Sequence, residues 1–139
     1  MNKKYLTKTL TYLGSVPFIF FTCLKLCEIR YFLGIATSLF LITYAAIISS
    51  FISGIHFAYA ISQNKMTSRL LILSNTISLF SWVALLLNLK PALVIVLLCY
   101  LCNVIIDFFA YQSKIIEKWF FDLRLIISFV VIICIVLNF

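Results

Sequence analysis

A chain of 139 residues that is 65% hydrophobic and only 11% charged departs from soluble domains, which are roughly 45–50% apolar and about 25% charged. In water it would expose apolar patches large enough to aggregate, so a bilayer is the solvent it fits. The net formal charge of +7 is no nucleic-acid signature, because the bases fall in short gaps between apolar runs, where they determine topology, and not on one face.

The apolar runs are continuous, without the strict alternation of a membrane β-barrel, and this predicts helices. The expected architecture is all-α: one domain over residues 1–139, built as a polytopic bundle of about five transmembrane helices. The basic start (Lys3, Lys4, Lys8) matches the opening of a signal peptide, but no small-residue cleavage pattern follows the first apolar run. That run is read as an uncleaved helix over 10–27, with Gly14 and Pro17 as packing positions; Pro17 frees a backbone carbonyl and can kink the helix.

The second apolar stretch, Tyr31 to Ser62, exceeds the ~20 residues a bilayer needs. Its helix is placed at 37–62, either tilted or with its first turns in the interface. A third helix is expected over 70–88, with Thr67 and Ser68 as N-cap residues. Asn88-Leu89-Lys90-Pro91 marks a tight break, and Pro91 suits the first turn of a fourth helix over 91–111. A polar linker from Gln112 to Lys118 leads to Trp119, read as an interfacial anchor, and to a fifth helix over 121–137. Trp82, near mid-span, is read as packing between helices. With five spans, eight Lys and Arg fall on one side and three on the other, which predicts a cytoplasmic amino terminus and an outside carboxyl terminus.

Ionisable groups inside spans are costly and need partners, and few occur here. His56, Asp107 and Arg124 all fall in the cytoplasmic half of this topology. At ~1.5 Å rise per residue, His56 lies ~9 Å and Asp107 ~6 Å from the inner ends of their helices. Cys99, Asn103 and Asp107 are spaced i, i+4, i+8 on one face. Ser49, Ser53 and His56 share a second face, and Ser74, Ser78 and Ser81 a third, with Asn75 beside it. The expectation is a polar cluster of His56, Asp107 and Arg124, with Asn75 and Asn103 adjoining. Ser49–Ser53 and Ser50–Gly54 are small-xxx-small pairs that permit close helix approach. The structural alternative is an Asp107–Arg124 ion pair that fixes helix packing, or an Arg124 that snorkels to the headgroups.

No nucleophile elbow, phosphate loop or paired catalytic carboxylates occur, so no catalytic residue is assigned. The five cysteines read as apolar filler. Cys99 and Cys102 have CxxC spacing but sit mid-helix, where redox or metal chemistry lacks the electropositive, exposed setting it needs. With one histidine and no second ligand pair, neither a metal nor another cofactor is expected.

Several blocks resemble a known family. Leu13-Gly14-Ser15-Val16-Pro17-Phe18 is similar to its LGxxPF element. Tyr44 to Phe57 resembles the segment carrying its SFxxGxH motif, the most specific of the blocks. Ser78 to Leu85 resembles its third-helix tryptophan pattern. Asp107 and Trp119-Phe120-Phe121-Asp122-Leu123-Arg124 match an Asp followed by W-x-x-x-L-R. The family is the domain-of-unknown-function 3429 group, to which the mitochondrial transmembrane protein 69 is related on this reading. Ser53 replaces the first of two glycines in the family segment, and Phe57 replaces a tryptophan. The resemblance implies a five-helix protein of the bacterial inner membrane and supplies no reaction.

Three functions stay open. The first is a non-enzymatic accessory or assembly component of a membrane complex, with the bilayer and membrane proteins or further copies of itself as partners. The second is a small-solute or proton carrier using the His/Asp/Arg cluster. The third is a membrane enzyme acting on lipid or quinone, with His56 as acid–base and Arg124 on an anionic head group.

Overall fold

The computed structural model describes residues 3–62 and 68–139. Among the described residues there are five helices: α1 (Lys3–Leu26), α2 (Thr37–Ser62), α3 (Ser68–Ala84), α4 (Leu89–Gln112) and α5 (Lys118–Val136). Four of them are long and apolar enough to cross a membrane. The exception is α3. Its 17 residues span roughly 26 Å, short of a ~30 Å hydrocarbon core. A tight turn extends it, with Leu85 N–H donating to Trp82 O, and Leu86 N–H to Val83 O. The helix expected over 70–88 therefore ends at Ala84, because the chain tightens before the Asn88–Pro91 break.

The second helix falls at Thr37–Ser62, as placed above, and residues 31–36 of the apolar stretch before it form a small antiparallel hairpin, β1 (Tyr31–Phe32) and β2 (Ile35–Ala36), with Tyr31 opposite Ala36. Its two turn residues, Leu33 and Gly34, both have positive φ (50° and 77°), as the tight primed hairpin turns require. Aromatic contacts dock the hairpin on the helices. Phe32 meets Phe20 of α1 edge-on at 5.6 Å and Phe40 of α2 at 6.0 Å.

Helices α1, α2, α4 and α5 close a ring in that order, α5 packing back on α1, while α3 lies outside against α2 and α4. The ring's core holds Phe18, Leu41, Ala45, Leu93, Val96, Tyr100 and Val131. Phe18 sits at its centre, tilted against Tyr44 at 4.9 Å and edge-on to Tyr100. α1 runs through Pro17 without interruption. Pro17 leaves Leu13 O without its helical donor, and the Tyr44 hydroxyl reaches the neighbouring Gly14 O at 3.0 Å. The outside of the bundle is apolar, with Phe51, Ile72, Leu79 and Phe129 each more than 60% exposed. Such an exterior suits lipid.

Two of the packing glycines do not act as expected. A Cβ at Gly14 or Gly54 would meet no atom within 4 Å, and Gly54 lies on the exposed side of α2. The close approach instead falls at Ser49 and Ser53, both fully buried, while Ser50 is half-buried at the edge of the seam. Trp82 also turns outward, 57% exposed, and does not pack between helices.

At the end of the ring where α1 finishes, Asn138 joins α1 to α5. Its amide donates to Thr22 Oγ1 at 3.1 Å and to Cys134 O at 2.7 Å, and Lys25 Nζ donates to Asn138 O. Asn138→Leu is expected to cost about 0.6–1.7 kcal/mol, the range for polar contacts between membrane helices. A denaturant titration in detergent checks this; an unchanged midpoint would mean that the clamp contributes nothing.

Candidate functional site

The polar interior is built on the inward faces of α2, α3, α4 and α5. On α4, helical spacing stacks Asn103 one turn before Asp107, and both are buried. On α2, Ser49, Ser53 and His56 form the facing stripe, each 0% exposed. Asp107 is the hub. Its Oδ1 lies 2.9 Å from His56 Nε2, and its Oδ2 accepts from Arg124 Nε at 2.8 Å. One carboxylate thus ties α2, α4 and α5 together. An ionised carboxylate only accepts, so Nε2 carries the proton, and Nδ1 of His56 is left without a protein partner. Arg124 engages Asp107 through Nε alone; its Nη2 is buried and also lacks a partner. The guanidinium rests 5.6 Å from the Phe120 ring centroid.

A second, neutral network lies one turn along. Ser53 Oγ donates to Asn103 Oδ1 at 3.2 Å, the Asn103 amide donates to Ser49 Oγ at 3.2 Å, and Ser81 Oγ of α3 donates to Ser49 Oγ at 3.0 Å. This links α2, α3 and α4, so the two networks together reach every helix except α1. Among the sequence-predicted residues, His56, Asp107 and Arg124 meet directly, and Asn103 adjoins through the serines. Asn75 does not join them. It is exposed on α3, whereas its neighbour Ser74 turns inward. The face of α3 that packs on α2 and α4 runs through Ser74, Ile77, Ser81 and Ala84, and Asn75 lies about 100° round the helix from Ser74.

Cys99 is buried, with its thiol 3.7 Å from Ile77 O. Among the described residues, no three His, Cys, Asp or Glu side chains gather as a metal site would require. Trp119 is half-buried at the start of α5, donating from Nε1 to Glu117 Oε2 at 2.6 Å. Thr67, read above as an N-cap residue, and Lys65, one of the eight bases counted on the cytoplasmic side, lie outside the described residues.

With this geometry in hand, comparison with known families places the chain. It matches the model described as "Protein of unknown function (DUF3429)" over residues 4–139. The chain belongs to the DUF3429 family. The match spans all five helices and both polar networks, so His56, Asp107 and Arg124 all lie within the DUF3429 region. No curated protein and no solved structure matches the chain.

The Thr22–Lys25–Asn138 clamp was missed by sequence reasoning. Asn138 lies in the last two residues of the chain and 116 positions from Thr22, and no local spacing links them. The signal available was an asparagine closing an apolar run, which in lipid calls for a partner.

Proposed function

We propose that this is a small multi-pass protein of the bacterial inner membrane that serves as a non-enzymatic accessory or assembly component of a membrane complex. The observation that carries this reading is the closed pairing of His56, Asp107 and Arg124. His56 and Arg124 both pair with Asp107 across three helices, so that both of its carboxylate oxygens are engaged. Groups committed in this way hold three helices in register. The apolar exterior offers helix faces to lipid and to other membrane proteins. Native mass spectrometry of the tagged protein, taken from its own membrane in mild detergent, should return a reproducible heteromeric complex. A monomer or homo-oligomer alone would overturn the reading.

The topology that goes with it has the amino terminus in the cytoplasm and the carboxyl terminus outside. Cys27, exposed just past the end of α1, then faces outward. In a variant keeping only that cysteine, a membrane-impermeant maleimide should label intact cells. Labelling only after permeabilisation would reverse the orientation.

One observation favours a second reading, a proton or small-solute carrier: Nδ1 of His56 is buried without a partner beside Asp107, and intramembrane His–Asp pairs serve as relays. His56 is fully buried, so a relay requires another conformation that opens it to water. Proteoliposome flux distinguishes the readings. Carriage requires that His56→Gln abolish uptake while the protein still melts as the wild type does; the accessory reading expects no uptake from either.

A further inference from the structure

A groove of about 360 Å³ lies between α1, α2 and α5, with Tyr100 of α4 also on its wall. Its walls are apolar, formed by Phe18, Ile52 and Val131 among others, and Gly14 leaves room along α1. At its lips, Leu10 and Phe51 are exposed to the bundle's surroundings. Arg124 also lines it. This guanidinium is only 7% exposed. Asp107 takes its Nε–H, and Nη2 is buried with no protein acceptor. Arg124 is the charged side chain in this mostly apolar lining, so the groove offers a guanidinium to an acidic head group.

We propose that the groove binds a single-chain carboxylic amphiphile of the fatty-acid class, its carboxyl on the Arg124 guanidinium and its chain along the apolar walls toward Val131. Three features select this occupant. From Phe120 to Val131 the groove follows α5 for eleven residues, roughly 16 Å at the helical rise, an elongated slot that suits one chain. A carboxyl offers acceptor oxygens in a planar group that matches a guanidinium. Lys3, Lys4 and Lys8 start α1 and Lys118 starts α5, at the end where Arg124 lies; Lys4 Nζ sits 4.9 Å over the Trp119 ring, which brings the two helix starts together. This basic rim attracts an anionic head, and the near-complete burial of Arg124 favours a small head over the glycerophosphate of a diacyl lipid. The inference is independent of the accessory role, because it uses donors that the Asp107 pairing leaves spare.

The test uses the full chain in phosphatidylcholine nanodiscs, with retention of laurate and lauryl alcohol measured by mass spectrometry. Laurate should be held at least tenfold more tightly than the alcohol, whose chain is the same length but whose head lacks the carboxylate. Gly14→Leu should lower laurate retention at least tenfold with an unchanged melting temperature, since a Cβ there meets open space. Gly54→Leu, away from the groove, should leave it intact. Equal retention of acid and alcohol would overturn the proposal, as would displacement of laurate by phosphatidylglycerol, which would assign the groove to a phospholipid. Should Gly14→Leu lower the melting temperature, the acid–alcohol comparison on the unaltered protein still decides.

Discussion

Replacing Asp107 with asparagine is expected to lower the stability of the detergent-solubilised bundle by about 3–5 kcal/mol, the range for removing one partner of a buried ion pair. The size comes from what is left behind. Arg124 remains buried with its charge uncompensated, and the His56 Nε2–H faces a neutral amide in place of a carboxylate. Neutral contacts in the same interior should matter far less. Asn103→Leu removes the amide that bonds Ser49 and Ser53, and polar contacts between membrane helices average about 0.6 kcal/mol. The decisive measurement is a double variant. Asp107→Leu with Arg124→Met should be more stable than either single change, because the pair is then removed together and no lone charge stays in the bundle. An additive loss in a denaturant titration would mean that the two residues stabilise independently, and the account of Asp107 as a hub would fail.

The second large effect is expected at Ser49. Its side chain is fully buried and bonded to Ser81 on α3 and Asn103 on α4. Ser49→Leu places a branched chain in that three-helix seam, and overpacking of this kind typically costs about 1–3 kcal/mol. It also removes the hydroxyl that accepts from both neighbours, so the upper end is expected. Gly54→Leu, five residues on, should behave in the opposite way. Nothing lies within 4 Å of a Cβ at Gly54, and replacing glycine within a helix gains up to ~1 kcal/mol of propensity. Thermal melts of the two variants side by side should separate clearly. Equal tolerance would mean that the α2–α3–α4 seam is looser than the Ser49 contacts imply.

These two predictions mark where sequence reasoning succeeded and where it stopped. The placement of His56, Asp107 and Arg124 was legible because ionisable residues in an apolar chain are few and each needs a partner at matching depth. Asn103 followed from its one-turn spacing to Asp107. Gly54 and Asn75 were misplaced for a shared reason, the rotation of a helix about its own axis. In a soluble protein the apolar stripe reveals the inward face. These helices are apolar nearly all round, lipid is as apolar as the interior, and the pattern cannot say which side faces inward.

The hairpin at 31–36 was hidden because its residues, Tyr31, Phe32, Ile35 and Ala36, are as apolar as a helical span. Its turn relies on Leu33, a residue that rarely takes positive φ. The ends of α1 and α4, placed from the sequence at 27 and 111, fall at Leu26 and Gln112 without the usual closing residue. Glu28 and Lys114 adopt positive φ (60° and 57°) where glycine usually closes a helix, yet the closing bonds form, with Ile29 N–H donating to Leu24 O and Ile115 N–H to Ala110 O.

By itself, then, the sequence pointed to lipid as the solvent and determined the helical class and the few polar residues that must pair. Each of these depends on local composition, or on the i to i+4 bonding that every apolar segment must complete within lipid. Only the tertiary structure decided that α3 lies outside a four-helix ring, that Asn138 reaches back to Thr22, and that Arg124 lines an apolar groove. Those features depend on how helices turn and dock against one another, which in a bilayer is set by close packing and by a handful of buried hydrogen bonds, not by a contrast between oil and water that the residue pattern could record.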